Sequence, residues 1–396
     1  MQQAKMKQTL YFKIAVAMIC FIYFILQHLH GRAEMADFRV YYDAANALKN
    51  GDTVYGLAFG ISSGFYKYSP MAAVLFVPFT WLTYPIAAGL FYMIISITIT
   101  WFCIEALQLL NKHFPKDKLL LSAFVTTLFL ADHIERELHL GNVNLLLLIA
   151  CVFMNYFGKP NNHWASGGLY ALILMFKPHF LILAPVLFLF GKFRTLATTF
   201  LFIMLALLLP TLICGVEKNI ELHQHWWEAM KAHNIALHVS PNTIYGILHT
   251  AIPIELPPLT YILSGLTITG ALLLIAWRKS LTLKTEQRFN FFFFLAIAMI
   301  PNLAHTDTEH FMWSWPLIAF LCQCQIYDNR NLLHIGLMVI AFIPYSLNSP
   351  DIVGKDLTFI FDEGGLLGIA NLILLILSSR YIMGDKSLNT SQYRLS

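Results

Sequence analysis

The run YFKIAVAMICFIYFILQHL, Tyr11 to Leu29, decides the fold. A membrane core about 30 Å thick needs about 20 apolar helical residues to cross it. This run has that length, and Lys13 is its one fully ionised side chain. It is too long for a signal-peptide core, and no small-residue cleavage site follows it. The reading is a permanent span.

The same character continues outward. Of 396 residues, 58% are hydrophobic and 12% charged. A soluble domain carries about 25% charged and about 45–50% apolar residues. Soluble and disordered chains are therefore excluded. Lys and Arg number 26 against 22 Asp and Glu, a net +4, which leaves no nucleic-acid footprint. The six cysteines sit in or beside apolar stretches without metal-like spacing, and they read as small buried hydrophobes. Further apolar stretches lie near 86–110, 119–131, 143–157, 164–176, 179–190, 195–214, 258–277, 289–303, 311–326, 331–347 and 365–383. This predicts an all-α polytopic membrane protein of about twelve transmembrane helices. One transmembrane domain covers 1–383, and a short polar tail covers 384–396. Lys177-Pro178 divides two stretches, which is tolerated where other helices cover the freed backbone.

Charge sets the orientation. With the N-terminus in the cytoplasm, most basic residues fall inside, among them Lys5, Lys7, Lys112, Lys116, Arg194, Arg278 and Arg380. Both termini are then cytoplasmic, and most acids face out, where the chemistry is expected. Ser69 to Tyr84 is apolar but holds Pro70 and Pro78, and it reads as an interfacial or re-entrant helix at the end of a first outer loop, 30–84.

The outer segments hold the candidates. Asp37 stands where a helix N-cap belongs, before Phe38-Arg39-Val40-Tyr41-Tyr42. It either caps the helix or serves as a general base. Lys67, between Tyr66 and Tyr68, either snorkels or holds a phosphate. Asn142 and Asn144 lead into a span after the polar run Asp132 to Gly141, which contains Arg136. They either satisfy backbone or bond sugar hydroxyls. Lys177 lies deep in an apolar hairpin; it marks a function or reaches water from a helix end. Further along come Asn242 and the pair Glu309-His310. His223 and His225 lie two apart, on different helix faces, and suggest no metal.

These segments, in this order, resemble the polyprenol-phosphate-mannose-dependent α-mannosyltransferases of glycosyltransferase family 87. That family lies in the GT-C superfamily of multispanning glycosyltransferases. The matching pieces are Asp37-Phe38-Arg39-Val40-Tyr41-Tyr42, Tyr66-Lys67-Tyr68-Ser69-Pro70, Gly141-Asn142-Val143-Asn144, Gly167-Gly168 with Lys177-Pro178, Pro241-Asn242-Thr243 and Glu309-His310. The family more often has Gln where Asn142 stands. The resemblance implies a GT-C bundle whose first outer loop carries the catalytic acid, Asp37. A hexose, mannose by the family, passes from a polyprenyl-phosphate donor to a lipid or glycan acceptor with inversion. Lys67, Lys177, Arg136 and His310 would balance charge on the donor phosphate. Arg39, Tyr41, Tyr66, Tyr68, Asn142, Asn144, Asn242 and Glu309 would bind substrate. The expected partners are the donor, the acceptor and membrane lipids, with no cofactor, metal or nucleic acid. The expected location is a bacterial inner membrane, with the active site extracytoplasmic. A secondary transporter or lipid flippase is the alternative; broken helices suit it, but charge clustered on one side does not.

Overall fold

A computed structural model describes residues 2–59, 64–106, 118–158, 162–235, 240–252, 257–304, 307–328 and 332–382. The tail 384–396 and Lys112 and Lys116 lie outside these residues. The described chain is helical, and its one β-bridge joins Ala58 and Phe65. In chain order the helices are α1 (Gln2–Leu29), α2 (Ala36–Asn50), α3 (Pro70–Phe76), α4 (Tyr84–Trp101), α5 (Leu119–Phe129), α6 (Ala131–Leu140) and α7 (Asn144–Phe157). They continue with α8 (His163–Phe176), α9 (Leu183–Leu189), α10 (Phe193–Leu208), α11 (Thr211–Ile235), α12 (Ile244–Ala251) and α13 (Pro258–Lys279). The last are α14 (Thr285–Leu303), α15 (Trp315–Asp328), α16 (Leu332–Ser346), α17 (Pro350–Val353), α18 (Lys355–Glu363) and α19 (Leu366–Ile382).

Helix occupies, among the described residues, every apolar stretch identified from the sequence. Among the described residues, three helices are long and apolar enough to cross a membrane alone: Lys7–Leu29, Tyr84–Glu105 and Leu259–Lys279. The number rises to six if each of three sharply bent helix pairs is one span. Pro70–Trp81, Leu119–Phe129, His163–Phe176, Pro178–Leu189 and Leu332–Ser346 are apolar but shorter than a crossing needs.

The chain divides into two compact units. The first comprises Tyr11–Thr100 and Glu135–Leu237. Its α2 buries Phe38, Tyr41, Ala44, Ala45 and Leu48, three and four residues apart on one side of the helix, while Tyr42 is only half-buried. Phe38 stacks on Phe91 at 4.6 Å and Tyr41 on Phe76 at 4.8 Å, which seats α2 on α3 and α4. Helices α8 and α10 pack through Gly167, where a Cβ would lie 2.1 Å from Thr198 Oγ1. The Gly167-Gly168 pair is thus a close helix contact.

The second unit comprises Met1–Leu10, Trp101–Ile134 and His238–Ser396. Helix α14 is buried from Phe289 to Asn302 and packs with α15 and α19. The turn before α12 sits directly on the start of α19. A Cβ on Gly365 or Gly368 would lie 2.2 Å from the Pro241 or Asn242 carbonyl oxygen, respectively.

Candidate active site

The first unit gathers most of the candidates around the start of α2. Asp37 does not cap that helix, contrary to the expectation from its position. The cap residue is Met35, in left-handed backbone (φ 46°), and it makes no side-chain cap bond. Asp37 therefore lies within the first turn, where a carboxylate also complements the helix dipole. Its Oδ2 accepts from Asn142 Nδ2 in a short hydrogen bond. Asn142 Oδ1 accepts from the Val143 backbone N at 2.7 Å and from the Tyr41 hydroxyl at 3.1 Å. A backbone N–H only donates, so the amide orientation is fixed. Tyr41 spends its proton on Asn142, so Tyr68 is the donor in the 3.1 Å Tyr68–Tyr41 contact. The donors run in one direction: Tyr68 to Tyr41 to Asn142 to Asp37. Burial lifts the Tyr41 phenol well above its usual range, helped by Tyr68 and Asp37, so it remains a protonated donor.

The turn between α6 and α7 makes this contact. Gly141 has φ 68°, and a Cβ there would stand 2.6 Å from Met35 Cε and 2.9 Å from Phe38 Cβ. Only glycine meets both demands. It brings Asn142 to Asp37 and starts α7 at Asn144.

A second charged set lies on the same turn. Glu137 is fully buried. Its Oε1 accepts from Leu145 N at 2.7 Å and its Oε2 from Asn144 Nδ2 at 3.2 Å. Asn144 Oδ1 in turn accepts from Lys177 Nζ at 2.7 Å. Lys177 is 6% exposed, so it does not reach water from its helix end. It follows α8 and precedes Pro178, where the chain leaves the helix in extended backbone. Helix α6 has ten residues, too few to cross a membrane. Burial pushes the Glu137 carboxyl up to about 7, against the pull of Leu145 N–H, Lys177 and Asn144, while the Asp37 charge adds to the rise. Sequence reading did not single out Glu137. The available signal was a carboxylate seven residues before Asn144.

The remaining candidates of this unit have the following surroundings. Tyr66 is buried, and its hydroxyl donates to the Ser69 carbonyl. Lys67 is exposed, and its carbonyl accepts from Trp226 Nε1 at 3.2 Å. Ser69 N bonds the Met175 carbonyl at 3.3 Å, tying this loop to the end of α8 beside Lys177. Arg39 pairs with Asp43 at 2.7 Å and lies 4.3 Å over the Tyr84 ring. Arg136 is half-buried beside Glu137 in the chain.

Asn242, Glu309 and His310 belong to the second unit. Asn242 has structural contacts: its Oδ1 accepts from Gly368 N at 2.9 Å and its carbonyl from Asn302 Nδ2 at 3.0 Å. Glu309 and His310 are buried in the 3-10 turn Thr308–Ser314. His310 Nδ1 donates to the Asp307 carbonyl at 3.0 Å, which puts the lone pair of a neutral ring on Nε2. One ligand atom each from Asp307, Glu309 and His310 lie within 4.8 Å of one another, a set able to hold a divalent cation. No metal-ligand group includes His223 or His225 among the described residues.

Together these observations describe a helical membrane chain in which a carboxylate, a donor chain and a buried lysine meet at one turn. No curated protein and no solved structure matches the chain. The sequence model of glycosyltransferase family 87 matches residues 65–306, which include Tyr68, Glu137, Asn142, Asn144 and Lys177; Asp37 precedes that stretch, and Glu309 and His310 follow it. That match covers more than half of the chain, which therefore belongs to glycosyltransferase family 87 and is a membrane glycosyltransferase.

Proposed function

We propose that the enzyme transfers a hexose, mannose in the first instance, from a polyprenyl-phosphate sugar to a lipid or glycan acceptor by inverting displacement. Asp37 is the general base. It takes the proton of the acceptor hydroxyl as that oxygen bonds the anomeric carbon. The bond from that carbon to the phosphate oxygen breaks, and the phosphate leaves with the electron pair. A β-linked donor gives an α-linked product through an oxocarbenium-like transition state. Phosphate is already a stable anion, so the site needs cations more than a strong acid. Lys177 is the first candidate for that part, followed by Lys67 and Arg136. By the motif they match, His310 remains a donor-phosphate candidate and Glu309 a substrate-binding candidate.

One observation carries this reading. Asp37, which the motif selects as the acid, is held by Asn142 at the end of a one-way chain of donors. Such a chain orients a carboxylate and leaves it an acceptor. In the same reading the shorter apolar helices complete a bundle of about twelve spans. Both termini are cytoplasmic, and the reaction occurs on the outer face of a bacterial inner membrane.

The test is transfer of label from polyprenyl-phosphate-mannose in right-side-out and inverted vesicles, for wild type and Asp37→Asn. The variant is expected to lose about 10²–10⁴-fold in turnover, with unchanged thermal unfolding and the wild-type product on the outer face. Wild-type turnover by the variant would remove Asp37 as the base. Transfer only from a glucose or pentose donor would replace the sugar and keep the mechanism.

A further inference from the structure

A cavity of about 120 Å³ lies in the first unit, between the end of α1, the start of α4 and the end of α6. A single water needs about 10–15 Å³ on the same measure. There is room for several waters or for the oxygens of one phosphate. Its depth in a membrane follows from the helices that frame it. Residues Lys7–Leu29 and Tyr84–Glu105 are each long and apolar enough to cross. The cavity meets the first at its C-terminal end, Phe24 to Arg32, and the second at its N-terminal end, Tyr84 to Tyr92. It therefore sits at headgroup level, whichever face of the membrane that is.

The lining has two characters. Met35, Ala88 and Leu138 give an apolar wall, while Arg32, His28 and His139 give cationic or protonatable groups. No acidic side chain is among the lining residues. His139 Nδ1 is buried without a hydrogen-bond partner, and so is Gln27 Oε1, an acceptor that suits a headgroup hydroxyl rather than a phosphate oxygen. Basic groups near helix C-termini also complement the dipoles of α1 and α6. That role needs no open space beside them and leaves no polar atom unpaired.

We infer that this cavity binds the headgroup phosphate of an anionic glycerophospholipid. Arg32 and His139 are placed to donate to phosphate oxygens, and the acyl chains would run along the exposed apolar faces of the two spans, which include Ile22 and Met93. The inference does not rest on the proposed sugar donor. Met35 lines the cavity and packs against Gly141, so a bound headgroup would brace the turn that positions Asp37.

The test uses the full-length protein purified in detergent and titrated with dihexanoyl phosphatidylglycerol, dihexanoyl phosphatidylcholine or inorganic phosphate. Binding is read by native mass spectrometry. Two variants separate charge from space. Arg32→Gln with His139→Gln removes the donors. Gly89→Leu fills the cavity from α4, where a Cβ meets nothing within 4 Å, so the helix is kept. The expected result is retention of phosphatidylglycerol by wild type, at least about tenfold weaker in each variant, as for a lost charge-assisted hydrogen bond. Phosphatidylcholine and inorganic phosphate should bind poorly to all three proteins. Equal retention of phosphatidylglycerol by wild type and both variants would overturn the site. Inorganic phosphate binding as tightly as the lipid would make it a free-anion site. A fourth titration, with a short-chain polyprenyl phosphate, would assign the cavity to the donor instead if that lipid is retained in preference to phosphatidylglycerol.

Discussion

The two units each bury a polar network, and they bury it differently. In the second unit Asn371 is saturated. Its Nδ2 donates to the Ala298 carbonyl and to Asn302 Oδ1, and its Oδ1 accepts from Ser314 and Tyr345. Both amide hydrogens and both lone pairs are used, every partner is neutral, and Asn302 passes the chain on to Asn242 and Gly368. In the first unit the corresponding bonds end on charges: Asn142 on Asp37, and Asn144 between Glu137 and Lys177. Neutral amides specify how helices dock at modest cost. Buried charges cost far more, and they persist where a reaction uses them. Under the proposed function, one network serves stability and the other serves chemistry.

Between the two networks, and after the base Asp37 itself, the largest effect should come from Lys177→Met. The methionine keeps much of the volume and removes the cation. Glu137 then retains Asn144 and Leu145 N–H but loses its charge partner, and it can keep a proton rather than unfold the turn. Transfer is expected to fall about 10²–10³-fold, the usual effect of removing one electrostatic stabiliser of a transition state. Thermal unfolding should move little by comparison. Steady-state transfer and unfolding, measured on the same detergent preparation, check both. Wild-type transfer by Lys177→Met would make this network structural as well and erase the contrast.

Asn371→Leu tests the other side. It leaves the Ser314 and Tyr345 hydroxyls and Asn302 Oδ1 without their partner in a fully buried place. Each unpaired buried group costs about 1–3 kcal/mol, so a total of about 2–5 kcal/mol is expected, with some relaxation. The midpoint of thermal unfolding should drop by several degrees, while turnover per folded molecule at low temperature stays within about twofold. A large loss of turnover without a loss of stability would show that the neutral network also serves catalysis.

Helix positions were legible because hydropathy runs state them directly, from Tyr11–Leu29 through to α19. Asp37, Tyr41, Tyr68, Asn142, Asn144 and Lys177 were legible as motif residues, and the first unit bonds them into two sets on one turn. Other features depend on rotation and backbone rather than residue type. Glu135 and Glu137 look alike in the sequence, but two positions turn a helix by about 200°. Glu135 is exposed and takes the Tyr23 hydroxyl, whereas Glu137 is buried with Asn144. Asp37 has a cap-like position, but the left-handed backbone at Met35 starts the helix before it. Asn242 sits in a matching motif, yet its contacts lock a turn onto α19 because Gly365 and Gly368 allow that approach. Asn371 carried no signal, since its four partners come from two other helices and a 3-10 turn that meet only in the fold.

The smallest effect is also the most specific to the comparison. Glu137 accepts on both oxygens, and that fixes the Asn144 amide with Nδ2 toward the carboxylate and Oδ1 toward Lys177. In Glu137→Gln one oxygen becomes an NH₂. If it faces Asn144, the Asn144 amide must flip and present NH₂ to the Lys177 ammonium, so a donor meets a donor. A modest loss of transfer should follow, smaller than that of Lys177→Met because the cation remains. Stability should respond with the opposite sign. Burial raises the Glu137 pKa from 4.5 to about 7, so the native state holds a proton that the unfolded state releases between those values. Wild-type stability therefore falls as pH rises from about 4.5 to about 7, and Gln at 137 removes that fall. The stability of the variant relative to wild type should thus improve as pH rises through this window and level off above it. Unfolding midpoints of both proteins across pH 4.5 to 8 read this directly. Parallel curves would mean that Glu137 titrates alike in both states, and the turn would then hold no more charge strain than the neutral network around Asn371.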